Sequence, residues 1–114
     1  TAGADGRVAF DTCFPGWYSG RAIHIHFRVI RDGEVYATSQ LFFADALNAE
    51  IFAAHPDYSE FGPPDVDNDS DGIFGDQADK SSYLLDAARM PDGAMLASKV
   101  IAIRSSLREP SCSV

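Results

Sequence analysis

Phe14-Pro15-Gly16-Trp17-Tyr18-Ser19-Gly20-Arg21-Ala22-Ile23-His24-Ile25-His26-Phe27 joins a Pro-Gly turn to the start of a strand. Successive side chains of a strand alternate faces, so His24 and His26 share one side while Ile23, Ile25 and Phe27 share the other. A Pro-Gly turn reverses the chain, which can fold Tyr18 and Arg21 back over the histidine face. The result is a donor set of two imidazoles and a phenol with a fixed cation beside it. A lone strand histidine is ordinary, and a His-x-His pair alone is more often structural than metal-binding; the tyrosine and arginine close by make a metal site a candidate.

Working outward, residues 22–31 read as one strand. Asp32-Gly33 follows as a two-residue hairpin turn of the type that needs positive φ at both positions. Residues 34–43, rich in Val, Tyr, Thr and Phe, are then its antiparallel partner. Upstream, residues 7–14 alternate with Val8, Phe10, Thr12 and Phe14 on one side, which predicts another strand. Downstream the period changes: Leu47, Ile51 and Ala54 recur at helical spacing. Asp45 is placed to cap that start and Pro56 to end the segment, predicting one short helix over 45–54. Residues 56–80 are Pro-, Gly- and Asp-rich and read as a long acidic surface loop, a lid or a mobile segment. A short strand at 83–85, a turn at 90–93, a final strand over 96–104 and a polar tail at 105–114 complete the chain. The pattern is mainly all-β with one short helix, a single domain over 1–114.

The chain has 114 residues and a formal net charge of −8. That acidity argues against nucleic acid, because binding phosphates needs a basic face. No apolar run approaches the roughly 20 residues of a membrane-spanning helix, and no signal-peptide pattern is seen. The first residue is Thr1 and Asp5-Gly6 already reads as a turn, so an upstream segment is expected. Cys13 and Cys112 suit either one long-range disulfide in a secreted protein or two free thiols, which leaves the compartment open.

Asp67-Asn68-Asp69-Ser70-Asp71-Gly72 has the opening pattern of a calcium loop. Its twelfth position is Ala78, where a bidentate Glu is needed, so the segment reads as a solvated acidic loop. His55, ahead of Pro56, is expected on the surface.

With these residues in view, the sequence resembles the intradiol ring-cleavage dioxygenases, non-haem iron(III) enzymes that open catechol-type aromatics with O2. The likeness rests on Gly6-x-Val8-x-Phe10-x-Thr12, on the string from Pro15 to His26, on Thr38-Ser39-Gln40-Leu41-Phe42-Phe43 and on Asp71-Gly72-Ile73-Phe74. It is greatest for the smaller, often exported members. The resemblance implies an antiparallel β-sandwich. It implies Fe(III) held by Tyr18, His24 and His26, with Tyr18 the tyrosine that leaves when substrate binds. It also implies Arg21 as the group that stabilises negative charge on the ring, Gln40 as its neighbour near the site, and Trp17 as a wall of the substrate pocket. The family's second tyrosine ligand precedes the segment matching Gly6, and Tyr36, Tyr58 and Tyr83 do not match it. Two other readings of the residues stand beside this one: a non-catalytic β-sandwich binding or structural relic, and a divalent-metal site joining His24 and His26 to a carboxylate.

Overall fold

The computed structural model describes residues 1–110. Its order is β1 (His24–Arg31), β2 (Glu34–Phe42), α1 (Asp45–Ala54), short 3-10 turns at Ser59–Phe61 and Lys80–Tyr83, then β3 (Asp86–Arg89) and β4 (Met95–Ser98). The chain is mainly β, with antiparallel pairing and one helix. The strands form two ladders, β1 with β2 and β3 with β4.

The central hairpin forms where the turn chemistry requires. Asp32 has φ 51° and Gly33 φ 78°, the left-handed pair of a type I′ turn. Pairing runs in unbroken register from His24 opposite Phe42 to Val29 opposite Ala37, so His26 faces Gln40 and Arg28 faces Thr38. The register then shifts between Val29 and Ile30. Tyr36 is the extra residue at that bulge, and the Arg104 guanidinium donates to the Tyr36 and Val35 carbonyls, each at 3.0 Å.

α1 begins and ends at the expected residues, but its buried face is Asn48, Ile51 and Phe52. Asp45 does not cap it; Ala44 takes the cap position with no side-chain bond. The Asp45 carboxylate accepts from the Asn68 N–H at 3.0 Å instead, tying the long loop to the helix start. Two apolar clusters follow from this layout. Ile23, Phe43, Ile51 and Phe52 form one, joined by Phe14, Trp17 and Tyr58. Ala22, Phe42 and Phe74 form the other, against Ile73, Tyr83 and Leu84. Both sit where β1 begins and β2 ends, which holds the histidine end of the hairpin firmly.

Three expectations are corrected. Residues 7–14 form no ladder: Val8 and Phe10 are exposed, and only Phe14 turns in, its ring centroid 4.6 Å from Phe43. Alternation reports which side chains would share a face, whereas a strand also needs a partner. The strand expected at 83–85 starts later, at Asp86, because a 3-10 turn occupies Lys80–Tyr83. Leu84 makes only an isolated parallel bridge with Phe42. The last strand is Met95–Ser98, shorter than 96–104. The turn at 90–93 does form, with the Met90 N–H donating to Ala94 O at 2.7 Å. Among the described residues no helix is long and apolar enough to cross a membrane. Cys13 is exposed; Cys112 lies outside the described residues.

Candidate active site

The long acidic surface loop packs along the turn that carries Tyr18 and Arg21. Trp17 Nε1 donates to Gly62 O at 3.1 Å. The Ser19 hydroxyl donates to Asp65 at 2.9 Å, and the Gly20 N–H reaches the same carboxylate at 3.3 Å. Arg21 Nε and the Ala22 N–H both donate to Asp71 Oδ2 at 2.8 Å. Residues 62–71 therefore clamp residues 17–22 at three successive points. Asn68, Asp71 and Phe74 are buried within this acidic stretch.

That clamp sets the site. Tyr18 Oη lies 3.3 Å from His24 Nε2, with the two rings edge-on at 5.7 Å between centroids. His24 Nδ1 lies 2.8 Å from the Ala22 carbonyl. A carbonyl only accepts, so Nδ1 carries the proton and Nε2 presents its lone pair to the tyrosine. His24 is half-buried against the Phe42 ring, at 5.7 Å, whereas His26 and Tyr18 are exposed. The unbroken ladder keeps His26 on the same face as His24.

Arg21 and Gln40 form the other half. Arg21 Nη2 donates to Gln40 Oε1 at 2.6 Å, and Gln40 is the cross-strand partner of His26. Tyr18 and His24 are thus in contact, and so are Arg21 and Gln40, with His26 linking the two through the ladder. The Trp17 indole packs on the Ile23 cluster and lines a hollow of about 150 Å³ with Gly16, Phe52, Tyr58 and Phe61, which none of the other candidate residues lines.

In the sequence Asp71 reads only as part of the acidic loop and of the Asp71-Gly72-Ile73-Phe74 string, and its role beside Arg21 is missed. Its side chain is fully buried, and besides Arg21 and Ala22 it accepts from the Ile73 and Phe74 N–H groups at 2.8 and 3.0 Å. Burial by itself raises a carboxyl pKa. Here the Arg21 guanidinium and the backbone donors of Phe74, Ala22 and Ile73 outweigh it and hold Asp71 at about 2. The residue looked like part of a calcium-type loop. The available signal was an arginine in an acidic chain, which needs a counter-charge once half-buried.

Among the described residues no carboxylate joins His24 and His26 in a divalent site, and no group of three His, Cys, Asp or Glu side chains is placed to hold a metal ion. The oxygen facing His24 is the Tyr18 phenol. Tyr36 and Tyr58 are engaged elsewhere, Tyr36 beneath the Arg31 and Arg104 guanidinium groups and Tyr58 donating to Phe14 O at 2.8 Å.

No family model and no curated protein matches the chain. Among solved structures, it superimposes on an intradiol ring-cleavage dioxygenase from Tetranychus urticae. The two share 26% identity with a TM-score of 0.71 over 84% of this chain. The match covers 47% of that structure, so the chain spans just under half the length of its solved neighbour. This similarity agrees with the mainly-β architecture and with the likeness seen in the residues from Pro15 to His26.

Proposed function

We propose that the chain carries the tyrosine–histidine–arginine part of a non-haem Fe(III) intradiol dioxygenase site, which opens a catechol-type aromatic with O2. The observation that supports it most is the Tyr18–His24 pair, whose potential ligating atoms face each other at 3.3 Å while Ala22 O fixes the imidazole tautomer. Metal-bound histidines are normally oriented this way, by a carbonyl or carboxylate at the other ring nitrogen. The donor set fits the metal: phenolate and imidazole suit a hard ferric ion, with Tyr18, His24 and His26 as its holders. Ferric iron, when bound, supplies a Lewis acid that lowers the pKa of catechol hydroxyls.

The chain's own residues then divide the work. Tyr18 shares its hydroxyl proton with His24 Nε2, and losing that proton frees both atoms to act as donors. His24 is braced by Phe42 and Ala22, so its ring has little freedom to turn away. Arg21 presents a guanidinium donor to oxygen atoms of a ring held on the histidine face, where anionic character develops. Gln40 keeps that guanidinium beside His26. A two-layer sandwich and the activity of a whole dioxygenase belong to the same proposal.

The test is to load the chain with Fe(III) and titrate it with catechol, following visible absorbance and oxygen uptake in wild type, His24→Ala and His26→Ala. Colour and catechol-dependent spectral change in wild type, lost in both variants, support the reading. Equal spectra in all three contradict it.

A further inference from the structure

Asp71 has no role in the chemistry proposed above, yet it is the most heavily bonded side chain near the site. Its Oδ2 takes Arg21 Nε and the Ala22 N–H, while its Oδ1 takes the Ile73 and Phe74 N–H groups and approaches Arg21 Nη2 at 3.4 Å. Arg21 Nη2 is further committed to Gln40. The Nε–Nη2 edge of the guanidinium is therefore fully engaged. Nη1 makes no hydrogen bond among the described residues, and the Arg21 side chain is 21% exposed. A planar guanidinium gripped along one edge cannot rotate, so the direction of its free edge is set by the residues that grip it.

We infer that Asp71 is a positioning residue: it locks Arg21 side-on, so that Nη1 is the one guanidinium nitrogen left to meet an oxygen of the bound aromatic, and it cancels the arginine's net charge. This deepens the proposed function and rests on it for the identity of the ligand. A carboxylate 2.8 Å from Nε makes the pair neutral as a unit. Attraction for an anionic catecholate then comes from one aimed donor at short range more than from a long-range field. Such binding depends weakly on salt, whereas a bare cation at the same place is screened by added ions.

The geometry has a second guarantor. A Cβ built on Gly75 would lie 2.7 Å from the Asp71 carbonyl and also strike that of Asp69, so the loop closes onto Asp71 only with glycine there. The Gly75 N–H donates back to Asp71 O at 2.8 Å. Chain segments on both sides of Asp71 thus fix its place independently of Arg21.

The test uses the 114-residue chain, labelled with ¹⁵N, and 4-nitrocatechol as probe. In wild type, Arg21 should give a slowly exchanging Nε–H signal and resolved Nη signals, identified by their loss in Arg21→Lys; a side chain averaged like the exposed arginines overturns the proposal without any Asp71 variant needing to fold. In Asp71→Asn, shown by circular dichroism to keep its strands, those signals should join the exposed set. With Fe(III) added, affinity for 4-nitrocatechol should fall about tenfold in Asp71→Asn and in Arg21→Lys, and no further when the two are combined. The Asp71→Asn protein should also gain a salt dependence that wild type lacks. Losses that multiply in the double variant, or binding by Asp71→Asn equal to wild type, overturn the inference. If wild type with added Fe(III) binds no 4-nitrocatechol, the proposed function fails, while the Arg21 signals of the iron-free chain still decide whether Asp71 fixes the guanidinium.

Discussion

Replacing Asp71 by Asn should change how stability depends on pH, and the size of the effect follows from the structure. The carboxylate holds four good hydrogen bonds, two on each oxygen, from Arg21, Ala22, Ile73 and Phe74. Asparagine can offer its oxygen to one side only, and its NH2 then points at two N–H donors. Arg21 meanwhile loses its counter-ion. Breaking a buried, hydrogen-bonded ion pair from one side typically costs about 3–5 kcal/mol. Part of that cost depends on pH. Asp71 is depressed from an ordinary 3.8 to about 2 in the folded chain. A depressed carboxyl stabilises the fold above its unfolded pKa, and that contribution fades as pH falls from 3.8 through about 2. The gap is worth about 2 kcal/mol. Urea unfolding of wild type and Asp71→Asn between pH 7 and pH 2 checks this. The difference should be constant above about pH 4 and shrink by about 2 kcal/mol toward pH 2. A difference that does not change across the range would refute the reasoning.

Other outcomes follow from single contacts. Burial, with Cys13 and Asp57 nearby, raises the Tyr58 pKa, so the hydroxyl stays a donor to Phe14 O at neutral pH. Tyr58→Phe should lower stability by about 1 kcal/mol in urea unfolding without altering Fe(III) binding. Gly33→Ala places a side chain at φ 78° and should cost about 1 kcal/mol by the same assay. Gly75→Ala forces the loop off Asp71; it should cost about 2 kcal/mol and blur the Arg21 side-chain signals in ¹⁵N spectra. Arg21→Ala strands a buried carboxylate, so it should cost stability as well as catechol affinity, measurable by thermal unfolding beside ligand titration.

What the sequence revealed was governed by range. The β1–β2 hairpin rests on a local turn code at Asp32-Gly33 and on alternation, and both are visible in a short window. The helix at Asp45–Ala54 was equally local, although its cap was not: Asp45 is drawn off by Asn68, 23 residues away. Tyr18, Arg21, His24 and His26 stand together in one string, so their grouping could be read directly. Asp71 could not, because its bond to Arg21 spans 50 residues and its own surroundings imitate a solvated acidic loop. Residues 7–14 show the opposite failure, a strand-like pattern with no strand beside it to complete a ladder.

The central claim is that Tyr18 and His24 are the facing donors of a ferric site. Its most direct measurement is the visible spectrum of the chain with added Fe(III), compared with Tyr18→Phe under the same conditions. Tyrosinate bound to ferric iron absorbs visible light, and imidazole alone does not colour the complex in that way. Wild type should show a charge-transfer band that rises with iron, saturates, and is absent in Tyr18→Phe. An undiminished band in Tyr18→Phe, or a wild-type chain that stays colourless at saturating iron, would contradict the claim.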